Sequence, residues 1–153
     1  MEFRVLGSLE VRRGDIVVDI GSRNERKILA ALLVDANVVV STSRLIEAVW
    51  ADDTPNSDRN ALQTYVARLR RRLRTPEAPA PIATRPPGYA IELDEGELDA
   101  LAFGALVSQA RAAVDTDPSA AIASLDEALS LWRGPAFAEF AEDELARAEA
   151  VRL

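Results

Sequence analysis

Residues 57–74 constrain this chain more than any other stretch: Ser-Asp-Arg-Asn-Ala-Leu-Gln-Thr-Tyr-Val-Ala-Arg-Leu-Arg-Arg-Arg-Leu-Arg. Leu62, Val66, Leu69 and Leu73 recur at i, i+4, i+7 and i+11, the spacing of one helix face. At about 100° per residue these four fall within about 60° of one another. Asn60, Thr64, Ala67 and Arg71 take the opposite face, with Gln63 and Arg74 on one shoulder and Arg68 on the other. Six arginines and no acid lie between Arg59 and Arg74. Such a helix buries a leucine seam in its own domain and holds an arginine-rich ridge outward. The ridge matches the chemistry of a duplex: arginine forks for guanine, Asn60 and Gln63 for adenine, charge for phosphate. The competing account is a surface helix whose arginines are merely solvated, and the flanking sequence decides between them.

A net charge of −7 runs against a nucleic-acid role until it is divided along the chain. Residues 1–93 carry 14 basic and 12 acidic side chains, whereas residues 94–153 carry 4 and 13. The first part is mildly basic with its charge gathered in one helix, where the local field counts for more than the total. The acidic second part would be repelled by DNA and is expected to face protein. Two modules are therefore expected, residues 1–93 and residues 94–153. With 48% hydrophobic residues the chain can build a core. No apolar run approaches the roughly 18 residues of a membrane span, and Met-Glu-Phe-Arg-Val lacks the layout of a secretory signal. The absence of cysteine excludes disulfides and thiolate metal sites and fits a cytoplasmic protein. The absence of histidine removes the commonest metal ligand and acid–base catalyst.

Read in order, Phe3, Val5, Leu9 and Val11 alternate as in a half-buried strand, and Arg13-Gly14-Asp15 offers a turn into the β-branched run Ile16 to Ile20. A hairpin over Phe3–Ile20 is expected. Ser22-Arg23-Asn24-Glu25 fits a capping box for a helix carrying Ile28, Leu29, Leu32 and Leu33, with Asn37 as a stop. Val38-Val39-Val40 is β-prone. Ser41-Thr42-Ser43 can cap a second helix in which Leu45, Ile46, Val49 and Trp50 pack inward. An acidic loop, Ala51-Asp52-Asp53-Thr54-Pro55-Asn56, leads into the arginine helix, which Thr75-Pro76 ends. Ile82 to Arg85 and Tyr89 to Leu93 read as two strands around Pro86-Pro87-Gly88. A short helix, a loop, a polar-faced helix and a hairpin describe a winged helix-turn-helix, with Arg85 near the wing tip.

Four ordered blocks resemble the Streptomyces antibiotic regulatory protein family. They are Phe3-Arg4-Val5-Leu6-Gly7-Ser8-Leu9-Glu10-Val11, Arg44-Leu45-Ile46-Glu47-Ala48-Val49-Trp50, Asn60 through Arg71, and Arg85-Pro86-Pro87-Gly88-Tyr89. The first module of that family is similar to the OmpR-type winged helix. The resemblance implies a mixed, mainly α fold: an N-terminal β-hairpin, three helices and a wing hairpin, then a TPR-like helical domain. It further implies an activator of an antibiotic-type biosynthetic cluster that binds promoter direct repeats as a side-by-side pair and recruits RNA polymerase. By resemblance to OmpR-type activators, Asp52, Asp53, Asn56 and Asp58 are candidates for touching the sigma factor or another polymerase surface. A solvated loop is the plainer account.

After Leu93 the composition changes. Leu98, Leu101, Ala102, Ala105, Leu106 and Ala112 give a helical pattern over Glu97–Ala113, Asp115 to Ser119 breaks and recaps it, and Ala121 to Trp132 forms a second helix. Small residues on facing helices suit a TPR-like pair. A third helix opens at Glu142 and reaches Leu153 without a stop signal, so a fragment of a longer protein is expected. In the family this segment begins the bacterial transcriptional activation domain.

The groove-facing candidates are Asn60, Gln63, Thr64, Arg68 and Arg71, against caps or surface ion pairs as the alternative. Arg70 sits nearer the buried side, at about 80° on the wheel, and reaches along the edge toward a phosphate. Arg59 and Arg74 are phosphate candidates, as is Thr42 at a helix start, where capping alone is the simpler role. Arg85 is a candidate minor-groove or backbone contact, against a turn arginine in solvent. Trp50 reads as packing. No glycine-rich phosphate loop, zincin motif or nucleophile elbow is present, so no enzyme, metal or cofactor is expected. The acidic clusters Asp126-Glu127 and Glu142-Asp143-Glu144 read as solvating faces. The alternative function is a helical-repeat interaction module whose winged helix no longer reads DNA.

Overall fold

The computed structural model describes residues 1–50 and 58–140. The chain begins with β1 (Glu2–Arg4), β2 (Glu10–Arg13) and β3 (Ile16–Val17), an antiparallel sheet in that order. The expected hairpin over Phe3–Ile20 is thus a three-stranded meander, because the alternating run is broken at Leu6-Gly7-Ser8. Gly7 has φ +149, and a Cβ there would meet Arg133 at 3.1 Å. The backbone of this turn pairs with a distant loop instead of continuing as strand. Arg133 N–H donates to Leu6 O (2.8 Å), Phe137 N–H to Val5 O (2.9 Å) and Ala138 N–H to Gly7 O (3.2 Å). Phe3, Val5, Leu9 and Val11 are all buried, as their period requires. Ile16 and Val17 are 69% and 56% exposed, and the second β-branched run meets the core only through Val18, at its edge, and the buried Ile20.

α1 (Arg23–Val34) starts at the capping box expected from Ser22 and Glu25. The Ser22 amide donates to Glu25 Oε2 at 2.8 Å and the Glu25 amide to Ser22 Oγ at 3.4 Å. Asn37 follows the helix with φ 66 and does more than stop it. Its amide group accepts from Leu93 N–H (2.8 Å) and donates to Leu93 O (3.0 Å). β4 (Val40–Ser41) holds only the last valine of the triplet, while Val38 and Val39 are exposed. α2 (Thr42–Trp50) buries Leu45 and Val49 and packs Ile46 and Trp50 at the core's edge. α3 (Asp58–Leu73) is the arginine helix. β5 (Ile82–Arg85) and β6 (Gly88–Ile91) form the wing, and β4 joins them in a second antiparallel sheet of order β4–β6–β5.

A single 3-10 turn over Glu95–Glu97 leads into α4 (Asp99–Ala113), which pairs with α5 (Pro118–Ser130). Asp117 caps α5 through the Ala120 amide at 3.0 Å, with Pro118 in its first turn. Ala110, Ala121 and Ala128 are the buried positions of the pair, consistent with close approach through small residues. This helical segment rests on the first sheet. Leu98, Ala136, Phe137 and Phe140 join the same core as Phe3 and Val11. Glu139 accepts from the Leu9 amide (3.1 Å) and from the Arg26 guanidinium. The expected helix from Glu142 to Leu153 lies outside the described residues.

Candidate nucleic-acid interface

The interface is built on the two-sidedness of α3. Leu62, Val66, Leu69 and Leu73 are all no more than 1% exposed and pack into the core with Ile28, Leu32, Leu45, Ile82 and Ile91. Burying four such side chains contributes on the order of 6–10 kcal/mol before entropy is counted, ample to fix the rotation of the helix. Asn60, Gln63, Thr64, Ala67, Arg68 and Arg71 are consequently exposed on the far side.

The candidate contacts differ in what already holds them. Thr64 Oγ1 donates to the Asn60 carbonyl at 2.9 Å, so its methyl and lone pairs face outward. The Arg68 guanidinium lies 5.8 Å from the centre of the Tyr65 ring, whose own neighbour is Trp50 at 6.1 Å. Asn24 Nδ2 donates to Tyr65 OH at 3.5 Å, completing the link to α1. Arg71 and Arg59 are exposed, and no ion pair holds either among the described residues. Arg74 follows the helix, exposed, and its carbonyl accepts from Arg13 Nη2 at 3.2 Å.

Arg70 turns away from the ridge to the wing. Its Nε donates to Ile82 O at 2.9 Å and its Nη2 to Thr84 Oγ1 at 2.8 Å, and the guanidinium lies 5.7 Å from the Tyr89 ring centre. Arg85, toward the hairpin tip, donates from Nε (3.0 Å) and Nη2 (2.8 Å) to one Glu92 oxygen. Thr42 Oγ1 donates to Pro87 O at 3.0 Å, so this hydroxyl ties the start of α2 to the wing turn. The helix start itself is capped by Ser41, whose Oγ accepts from the Arg44 amide at 3.2 Å.

Three partners escaped sequence reasoning. Arg72 points inward, donating from Nη1 to Asp19 Oδ2 at 2.6 Å, with its Nε 3.7 Å from the buried Glu25. Asp19 is held below the ordinary carboxylate range, first by the Gly21 amide it accepts and then by Arg72. Glu92 and Thr84 are the others. Arg72 lies about 90° from the centre of the seam on a helical wheel, no nearer to it than Arg70, so the helical period carried no signal of its partners. Asp52, Asp53 and Asn56, and the side chain of Asp58, lie outside the described residues.

Residues 20–91 match the model of the C-terminal domain of transcriptional regulatory proteins, and residues 98–153 match the bacterial transcriptional activator domain. The chain is 31% identical to the transcriptional regulator RedD of Streptomyces coelicolor over 154 residues, covering 98% of this chain and 44% of RedD. It is 31% identical to the regulatory protein AfsR of Streptomyces griseus over 160 residues, covering 100% of this chain and 16% of AfsR. Among solved structures, Mycobacterium tuberculosis EmbR in complex with a low affinity phosphopeptide superposes with a TM-score of 0.91 at 27% identity, over 99% of this chain and 41% of EmbR. The chain therefore spans less than half the length of each of these relatives. No helix among the described residues is long and apolar enough to cross a membrane. An OmpR-type winged helix followed by a bacterial transcriptional activator domain, with RedD and AfsR as relatives, places the chain in the Streptomyces antibiotic regulatory protein family of transcriptional regulators.

Proposed function

We propose that the chain is a sequence-specific, DNA-binding transcriptional activator that reads promoter DNA with α3 in the major groove and the β5–β6 wing beside it. The observation that carries this reading is the exposed Asn60, Gln63, Thr64, Arg68 and Arg71 face lying opposite a fully buried leucine seam. Asparagine and glutamine amides pair with adenine and arginine forks with guanine, which makes this face chemically apt for base edges. Arg59, Arg74 and Thr42 flank it as phosphate contacts, and Arg85 enters the minor groove once Glu92 releases it. In this reading residues 1–93 contact DNA and residues 94–153, with their excess of acids, face protein. Binding to direct repeats as a side-by-side pair would place one α3 per half-site, about 10–10.5 bp apart or a multiple of that. The acidic Asp52–Asp58 loop, next to α3 in sequence, would meet sigma factor or another basic polymerase surface, and the regulated genes would form a secondary-metabolite cluster. The site of action is the nucleoid in the cytoplasm.

The test is an anisotropy titration of the full chain against duplexes from promoter regions, at several salt concentrations. Binding that weakens with a logarithmic slope of about 0.9 per neutralised phosphate, and that discriminates among duplexes, is the expected result. No binding to any duplex at low salt would leave the helical-repeat interaction module as the better reading.

A further inference from the structure

We propose that Arg70 is a positioning residue that locks the wing to the recognition helix, so that both DNA-facing elements move as one reader. This rests on the DNA-binding reading above. It departs from the sequence-based role for Arg70 as a phosphate contact, because its guanidinium is already committed. The two donors on one edge of the fork, Nε and Nη2, reach Ile82 O and Thr84 Oγ1 on β5, while the guanidinium lies beside Tyr89 on β6. One side chain thus touches both strands of the hairpin. Among the described residues no other hydrogen bond joins α3 to residues 82–91.

The chemistry requires arginine. A lysine ammonium is a point donor on a flexible stem and cannot hold two acceptors in a fixed fork while its plane lies beside a ring. β5 has only β6 as a strand neighbour, which leaves its other edge for groups such as Arg70 to pair. The apolar contacts of Ile82 and Ile91 with the core hold the base of the hairpin. Thr84 lies nearer the tip, one residue before Arg85, where a small change of angle moves Arg85 furthest from the groove. Fixing that angle before DNA arrives removes an ordering cost from binding.

The experiment compares the full chain with Arg70→Gln, Arg70→Lys and Thr84→Val by hydroxyl-radical footprinting and by anisotropy across a salt series. Circular dichroism melts verify that each variant is folded. Arg70→Gln is expected to weaken binding about three- to tenfold, to lose protection in the minor groove flanking the helix footprint, and to keep the wild-type salt slope. Arg70→Lys does not restore the flank. Thr84→Val shifts the same footprint, and combining it with Arg70→Gln adds little, as expected for two ends of one contact. A salt slope smaller by about 0.9 with the flanking footprint intact would make Arg70 a phosphate contact and overturn the proposal. So would a wild-type footprint without any flanking protection. If the wild type binds no duplex, the DNA-binding reading fails by itself, and amide exchange in the free chain decides the lock. Faster exchange across β5–β6 in both Arg70→Gln and Thr84→Val supports it, and unchanged exchange in Arg70→Gln overturns it.

Discussion

Arg72 Nε stands 3.7 Å from Glu25 Oε1, and both atoms are buried without a hydrogen-bond partner. The contact joins the inner flank of α3 to the first turn of α1, so α3 is keyed to a capping box as well as to a leucine seam. Glu25 is 2% exposed, and a buried carboxylate that loses its cation keeps the full desolvation cost. Arg72→Met is therefore expected to destabilise the chain by about 1–3 kcal/mol, below the cost of fully buried pairs because the arginine is partly exposed. Urea denaturation measures it. A midpoint that does not move would mean that the two Ser22 hydrogen bonds satisfy Glu25 alone.

Gly88 stands where β6 crosses β4, and a Cβ there would lie 1.9 Å from the Val40 carbonyl oxygen. The obstacle is backbone, so it cannot swing aside as a side chain would. Gly88→Ala should separate β4 from β6 and cost at least about 2 kcal/mol, within the usual range for forced overpacking. Thermal unfolding reports the loss, and a variant that melts with the wild type would show that the strands part freely.

What the sequence revealed and what it hid follow from the range of the interactions. The seam of Leu62, Val66, Leu69 and Leu73 and the Ser22–Glu25 box are local patterns, legible because the helical period and the first-turn geometry lie within a few residues. The fates of Arg70, Arg72 and Arg74 are not local. Three arginines within five positions go to the wing, to the carboxylates beside the start of α1 and to the surface, according to whether Thr84, Asp19 with Glu25, or, among the described residues, no acid stands opposite. The start of the chain makes the same point. Its alternation foretold which side chains are buried, but the pairing of Val5 to Gly7 with residues 133–138 spans about 130 positions and leaves no periodic trace.

Arg71 separates base reading from phosphate attraction. It projects opposite the seam, exposed. Arg71→Ala should cost about 1–3 kcal/mol on the specific site and relax selectivity at one base pair, with little effect on random duplex. Competition titrations with single-substituted duplexes give the answer. An equal loss on specific and random DNA would reassign Arg71 to the backbone.

Glu92 occupies Arg85 much as a phosphate would, with both residues more than half exposed. Exposed pairs contribute about 0.2–1 kcal/mol, so under the proposed reading this one would compete only weakly with DNA for Arg85. Glu92→Gln should tighten binding by no more than about fivefold and leave the fold intact. It should also raise the affinity most at low salt, where charge is least screened. Weaker binding by the glutamine variant would mean that the pair holds Arg85 in its productive pose.

Asp99 ties the helical segment to the first sheet by accepting the Val5 amide (2.8 and 3.0 Å) and the Leu6 amide (3.0 Å). Burial raises its pKa above the ordinary 3.8, outweighing those amides and Arg133, whose Nη2 is 3.8 Å away. A carboxyl whose folded pKa is raised binds its proton more tightly in the native state. Its contribution to stability is therefore fully present below 3.8 and is lost as the pH rises through the higher folded value. Asp99→Asn cannot titrate, and its amide NH2 would face donors, so it should be less stable than the wild type at every pH. The gap between the two should be widest below 3.8 and narrow as the pH rises through the folded value of Asp99. Urea midpoints of both proteins across that range measure the gap, with all other carboxylates cancelling in the comparison. A gap that stays constant with pH would mean that the amides of Val5 and Leu6 compensate the burial of Asp99 in full.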